Sequence, residues 1–218
     1  NNFFVRWTHN QDPRSRPNQT FSASLNFGST GNFQNNLNSS LEDYLTNTFQ
    51  SSVQWSYFSP RKPFSIATSA LHSQNSLTGL VTMTLPSVTL TMSRRSMSDL
   101  LGIDKGKVKL LDDLSISYNT RFENVAEISD SSFAAFNIND FDLSNGFKHH
   151  VSMSSSRNFG FLTVSPSFQY NEFMGFKQLD REWFDDGSGV ITEQTDTLSG
   201  FFADRDWQAS ISANTRFY

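Results

Sequence analysis

The chain has 218 residues, no cysteine and a formal net charge of −4. The missing cysteines exclude a disulfide framework and a thiolate metal site, and the negative balance argues against a broad phosphate-binding surface, so no nucleic-acid partner is expected. Charged residues are only 17%, whereas phenylalanine alone numbers 22 and serine, threonine and asparagine crowd the rest. A soluble domain carries about 25% charged residues and keeps its surface charged. Many aromatics, many uncharged polar residues and few charges suit a transmembrane β-barrel wall, with one side in lipid and the other in water. Mean hydropathy is −0.45, and no apolar run approaches the ~20 residues of a membrane helix.

Taken in chain order, alternation of apolar and small polar residues predicts strands over 3–10, 19–27, 48–58, 64–72, 80–95, 111–124, 145–156, 161–182, 191–203 and 207–218. In the second, Phe21, Ala23, Leu25 and Phe27 oppose Ser22, Ser24 and Asn26. In the third, Val53, Trp55 and Tyr57 oppose Ser52, Gln54 and Ser56. Val81, Met83 and Leu85 oppose Thr82 and Thr84 until the phase shifts at "PSV"; thereafter Val88, Leu90 and Met92 oppose Thr89, Thr91 and Ser93. Leu114, Ile116, Tyr118 and Phe122 oppose Ser115, Ser117, Asn119 and Arg121. In "LTVSPSFQY", Leu162, Val164, Pro166, Phe168 and Tyr170 oppose Thr163, Ser165, Ser167 and Gln169. Most of these runs reach the ~9–11 residues that a tilted strand needs to cross a bilayer. "NNFFVRWTHN" and "WQASISANTRFY" both read as strands, so the chain is expected to be a piece of a longer protein. "NSSLEDYLTNTF" holds a possible helical turn, with a cap at Ser39 or Ser40 and with Leu41, Tyr44 and Leu45 at helical spacing.

The connections alternate in length. "QDPRSRPN", "SPRKP", "SRNFG" and "ADRD" read as short turns, and between them fall the mostly longer "GSTGNFQNNLNSSLEDYLTN", "ENVAEISDSSFAAFNINDFDLS" and "FDDGSGV". Short periplasmic turns and longer external loops have this asymmetry. The long connection 96–111 falls on the short-turn side and breaks the pattern. The fold class expected is therefore all-β, a transmembrane antiparallel barrel portion of roughly ten strands forming one domain. A soluble carbohydrate-binding β-sandwich also alternates, but its outward faces carry Lys, Glu and Arg. Another outer-membrane barrel, a porin or a plugged nutrient transporter, remains a second alternative.

The residues expected to face the lumen are Ser22, Ser24, Asn26, Gln54, Thr82, Thr84, Ser115, Ser117, Asn119, Ser165, Ser167 and Gln169. Pro86 and Pro166 lie inside strand runs, where proline removes a ladder donor. They mark either weakened pairing of the kind a lateral gate needs or a bulge in an ordinary wall strand; the bulge is the simpler reading. His149 and His150 are neighbours on a strand and point to opposite faces, so they cannot chelate together; His9 and His72 are isolated. No metal, cofactor or catalytic set is expected, and G-x-S-x-G is absent. The acidic residues Glu42, Asp43, Glu127, Asp130, Asp140, Asp142, Asp185 and Asp186 fall in loops, as hard-cation contacts or as a solvated surface. Arg14, Arg16, Arg61, Lys62, Arg94, Arg95, Lys105, Lys107 and Lys109 lie in or beside the short turns, where they either steer a phosphorylated lipid or, the simpler reading, snorkel at the interface. Trp7, Phe58, Phe64, Tyr170, Trp183, Trp207 and Tyr218 fit aromatic girdles.

The segments "TSALHSQNSLTGLVTMTLPSVTLTMSRRSM" (68–97) and "NGFKHHVSMSSSRNFGFLTVSPSFQYNEFMGFKQLDRE" (145–182) resemble LptD, the lipopolysaccharide-assembly outer-membrane protein, in its Bacteroidota-type form. The shared pattern is a "HSQN…G…TLP" strand pair, a "GFKH" strand and an "SPSF.YNE" strand, in this order; at "LTMSRR" the family often reads asparagine–arginine followed by an aromatic. The resemblance implies one very large barrel closed by its first and last strands, preceded by a periplasmic β-jellyroll and plugged by the lipoprotein LptE. It implies that lipopolysaccharide arrives along a periplasmic bridge of Lpt proteins and leaves sideways into outer-membrane lipid. About ten strands are then an internal part of that wall, without the jellyroll, and the disulfides on which the enterobacterial form depends cannot form in it.

Overall fold

The computed structural model describes residues 4–28, 48–75, 78–129, 142–185, 187 and 191–215. The possible helix at Ser39–Leu45 lies outside them. The strands are β1 Phe4–Asn10, β2 Gln19–Gly28, β3 Thr48–Phe58, β4 Phe64–Asn75, β5 Leu80–Ser96, β6 Leu114–Ser129, β7 Asp142–Ser155, β8 Arg157–Asn158, β9 Leu162–Asp185 and β10 Ile191–Thr215. All join one antiparallel sheet in the order β1-β2-β3-β4-β5-β6-β7-β9-β10, with the two-residue β8 pairing β9 beyond the end of β7. Along this path each strand lies beside the next, and some of the described turns close through local bonds. The Ser59 N–H donates to the Phe64 carbonyl at 3.0 Å and Phe159 N–H to that of Leu162 at 2.7 Å. In the first turn the Asp12 carboxylate accepts from the Arg14 N–H at 2.9 Å, a local bond that aspartate favours in turns.

No second sheet packs on this one among the described strands. A sandwich would bury one face of each strand under another sheet about 10 Å away. Instead Trp207 and Ile211 are 71% and 76% exposed, and no sandwich forms among the described residues. The sheet is not closed among the described residues: β1 and β10 are its two edges.

The phase shift at "PSV" is a bulge. Both ladders of β5 jump from Thr84 to Ser87, leaving Leu85 and Pro86 without a register partner on either side. The Leu85–Pro86 peptide is cis, and the Asn124 side-chain amide donates to the Leu85 carbonyl at 2.8 Å, taking the place of a ladder bond. Pro166 pairs with Ile211 of β10. On its other side the β7 ladder ends at Ser154–Ser167 and the β8 ladder begins at Arg157–Val164, so its missing N–H falls where that neighbour is interrupted.

Two expectations are corrected. Residues 191–203 and 207–218 are not two strands, and "ADRD" is not a turn. Ala203, Asp204, Arg205 and Asp206 pair in unbroken register with Met174, Phe173, Glu172 and Asn171. The charges that resembled a turn alternate between the faces of one strand, and Arg205 donates to Glu172 at 2.6 Å. The irregularity falls instead at Gly200–Phe201, between Ser199 and Phe202. Second, the 96–111 connection folds into two short helices, α1 Met97–Leu101 and α2 Lys109–Asp113, and β6 begins at Leu114 rather than 111. Ser96 caps α1 by accepting the Asp99 N–H, and Gly102 ends it at φ 68°, the left-handed conformation that glycine adopts without strain. The Gly106 N–H donates to the Asp112 carboxylate at 2.8 Å, and Arg157 bonds Asp113 at 3.1 Å. The Ser98 hydroxyl and the Gly106 N–H hold the Asp112 carboxyl below its ordinary value.

Candidate functional site

Directly opposed residues in an antiparallel sheet project from the same face. One row of such partners crosses nine strands: Asn10, Ser22, Gln54, Ser69, Ser87, Glu123, Gly146, Gly175 and Phe202. It starts at the last residue of β1 and ends well inside β10, the stagger that tilts strands in a barrel wall. Parallel rows carry the other expected residues. Ser24 runs through Ser52 and Leu71 to Thr84. Ser117 runs through Ser152 to Gln169, Ser115 through Ser154 to Ser167, and Asn119 through His150 to Asn171. Thr82 pairs Ser73, Asn26 pairs Arg6 and Ser165 pairs Ser212. The twelve residues share one face.

That face is knit by short uncharged side chains. Thr20 and Ser56 hydroxyls meet at 2.5 Å, Asn119 donates to Thr91 at 2.8 Å, His150 meets Asn171 at 2.6 Å, and Ser167 meets Ser210 at 2.7 Å. The opposite face carries aromatic pairs, with Phe122 and Phe147 ring centroids 4.7 Å apart and Phe168 and Trp207 6.4 Å apart. His149 projects there and meets the Tyr118 hydroxyl at 2.7 Å, while His150 projects from the polar face. His9 lies 5.7 Å from Phe21 and His72 6.4 Å from Phe27. Among the described residues no three His, Cys, Asp or Glu side chains gather for a metal.

The aromatic residues divide. Trp7, Phe64, Tyr170 and Trp207 lie on the apolar face, opposite Leu25, Met92, Val151 and each other. Phe58 and Trp183 do not: they pair with Ser65 and Glu193 and share the polar face. Tyr218 lies outside the described residues, as do Glu42, Asp43, Asp130, Asp140 and Asp186. Glu127 and Asp142 are opposed ladder residues rather than loop residues, and Asp142 accepts from Lys177. Of the turn cations, Lys105 and Lys107 pair with Asp99 and Asp104 at 3.6 and 2.6 Å.

Sequence patterning did not reveal a cleft of about 660 Å³ on the polar face, lined by Arg121, Glu123, Asp142, Gly146, Lys148, Phe173, Gly175 and Lys177 among others. Its floor is the Gly146–Gly175 pair. A Cβ on Gly146 would stand 2.8 Å from the Met174 carbonyl oxygen and 3.3 Å from the Phe173 ring; only glycine fits. The available signal was "GFK", which occurs at 146–148 and again at 175–177. Antiparallel pairing through the glycines sets Lys148 and Lys177 at opposite ends of the seat.

A tilted antiparallel meander with one polar face and one exposed apolar face is a portion of the wall of a transmembrane all-β barrel. Sequence comparison then gives the family. The family described as LptD protein matches residues 1–218, and the chain belongs to it; proteins of this family serve lipopolysaccharide assembly at the outer membrane. No curated protein and no solved structure matches the chain.

Proposed function

We propose that this chain is wall of a lipopolysaccharide translocon of the Bacteroidota LptD type, lying in the outer membrane and moving its substrate without covalent chemistry. In this reading the twelve named residues line a hydrated lumen that accommodates the saccharide headgroup and an LptE-like plug lipoprotein. The apolar face meets outer-membrane lipid, and the periplasmic Lpt bridge delivers the substrate. Pro86 and Pro166 are local weak points of the ladder, since each lacks a donor where a neighbouring strand also fails to pair. The observation that carries the reading is the register that brings the twelve polar residues to one face of a sheet crossing nine strands, in a chain of this family. A porin or nutrient transporter shares the faces but not the family.

Depletion of the full-length protein in the living cell tests the reading. Newly made lipopolysaccharide is expected to stop reaching the surface, as read by antibody binding to intact cells, while uptake of small solutes continues. Unchanged surface lipopolysaccharide together with lost uptake would favour the transporter.

A further inference from the structure

The cleft over Gly146 and Gly175 has features that wall stability does not explain. Arg121 and Lys148 are directly opposed on one face, and like charges placed so destabilise a sheet. Arg121 is neutralised by Glu123, and Lys177 by Asp142. Lys148 makes no ion pair among the described residues, although it stands between this cleft and a smaller one of about 280 Å³. Beside it Phe173 is 55% exposed, an aromatic ring set among the charged side chains of the cleft. Its ring lies over the glycine pair, with ring carbons 3.3 Å from the Cβ position of each glycine. The cleft volume falls in the range of small-molecule sites, which combine an apolar surface with a few placed polar groups.

We propose that this cleft binds a sugar ring bearing a phosphate group, in the saccharide headgroup of a glycolipid passing through the lumen. The proposal rests on the reading that the polar face lines the lumen. The chemistry follows from the three parts. An exposed aromatic ring packs against the C–H face of a pyranose. The glycine seat keeps the backbone low so that the ring can approach. A phosphate seated beside Lys148 and Arg121 accepts charge-assisted hydrogen bonds from both, for which arginine's planar fork is suited, and gives Lys148 a counter-charge of the kind Glu123 gives Arg121. The Glu123 and Asp142 carboxylates, held by Arg121 and Lys177, keep further lone pairs for sugar hydroxyls. A neutral polypeptide segment would satisfy the aromatic ring but would bring no charge to Lys148, which shares its smaller cleft with Asp204 and Asp206 without pairing to either.

The test uses the full-length protein in its native outer membrane. The photo-crosslinker p-benzoylphenylalanine is introduced at Val125, which lines the cleft, or at Ser117, which is on the same face below it. Adducts are probed with antibody to lipopolysaccharide. The proposal expects a lipopolysaccharide adduct at Val125 that falls at least fivefold with Phe173→Ala or Lys148→Gln and persists with Phe173→Trp. The Phe173→Trp chain guards against loss through misfolding. Two results would overturn it: an adduct indifferent to Phe173→Ala and Lys148→Gln, or an adduct only with a protein. Water-soluble maleimide labelling of a Ser117→Cys chain separates the two levels. Labelling with no cleft-dependent adduct removes this subsite and leaves the lumenal reading standing. Protection of that cysteine overturns both.

Discussion

The two halves of the β9–β10 hairpin differ sharply in charge. From Leu162 to Tyr170 and from Trp207 to Thr215, opposed along their whole length, neither strand has a charged residue. Beyond Tyr170 and Trp207 the same two strands carry Glu172, Lys177, Asp180, Arg181, Glu182, Glu193, Asp196, Asp204, Arg205 and Asp206. The uncharged foot is about as long as a strand needs to be to cross a bilayer, and Tyr170 and Trp207 stand on the apolar face at its upper limit, where aromatic girdles form. Strands of 24 and 25 residues are far longer than that crossing. The foot therefore has the pattern of a strand with lipid on one side, and the upper half carries charge on both faces. Glu172 and Arg205 mark the border: they project from the apolar face, yet they bond to each other. The cleft begins at the same level on the polar face, with Phe173 next along β9.

This contrast can be broken at chosen points. The largest effect is expected from Ile211→Arg in the foot, opposite Pro166 on the apolar face. A cation on a lipid face near mid-bilayer costs about 2–4 kcal/mol, measured as urea unfolding of the full-length protein in phospholipid vesicles. Ser210→Arg, one residue away on the polar face, is expected to cost at most about 1 kcal/mol by the same measurement, because in the proposed orientation its side chain keeps its water. Next comes Gly146→Val at the cleft floor. Its Cβ must displace the Met174 carbonyl, an overpacking penalty of about 1–3 kcal/mol, with faster hydrogen exchange expected in the paired segment around Gly175. Smaller again is Ser167→Ala, which removes the hydroxyl bond to Ser210; a net loss of roughly 0.5 kcal/mol is expected in the same unfolding experiment.

The smallest effect lies outside the membrane, at Asp112. A carboxyl held below its ordinary value by the Ser98 hydroxyl and the Gly106 N–H favours the folded hairpin most when ionised. Its contribution is fully present above the ordinary value of 3.8 and is lost as pH falls through the lower folded value. The Gly106 amide resonance should move as pH is lowered through that range, and Asp112→Asn should abolish the response.

Much of this architecture is legible in the sequence because strand alternation has a period of two and a shift of phase betrays a bulge. "PSV" located the break in β5, and "LTVSPSFQY" separated the two faces of the foot. Legibility failed where a local cue was overruled by a partner. "ADRD" has turn composition, but β9 continues beside it, and Glu172 offers Arg205 a counter-charge. Phe58 and Trp183 are aromatics near strand ends, and their face depends on counting along the strand rather than on residue type. In the 96–111 connection the helices are five residues each, too short for a periodic signal, and they rest on the Ser96 cap and the Gly106–Asp112 bond. The cleft stayed hidden because it is made by opposing two "GFK" segments that are distant in sequence.

A cysteine scan along β9 in the full-length protein, one position at a time from Leu162 to Tyr170, tests the central claim most directly. Labelling in intact membranes with a water-soluble maleimide should alternate: Thr163, Ser165, Ser167 and Gln169 reactive, and Leu162, Val164, Phe168 and Tyr170 protected. Uniform labelling, or alternation in the opposite phase, would contradict the assignment of the polar face to the lumen and of the apolar face to lipid.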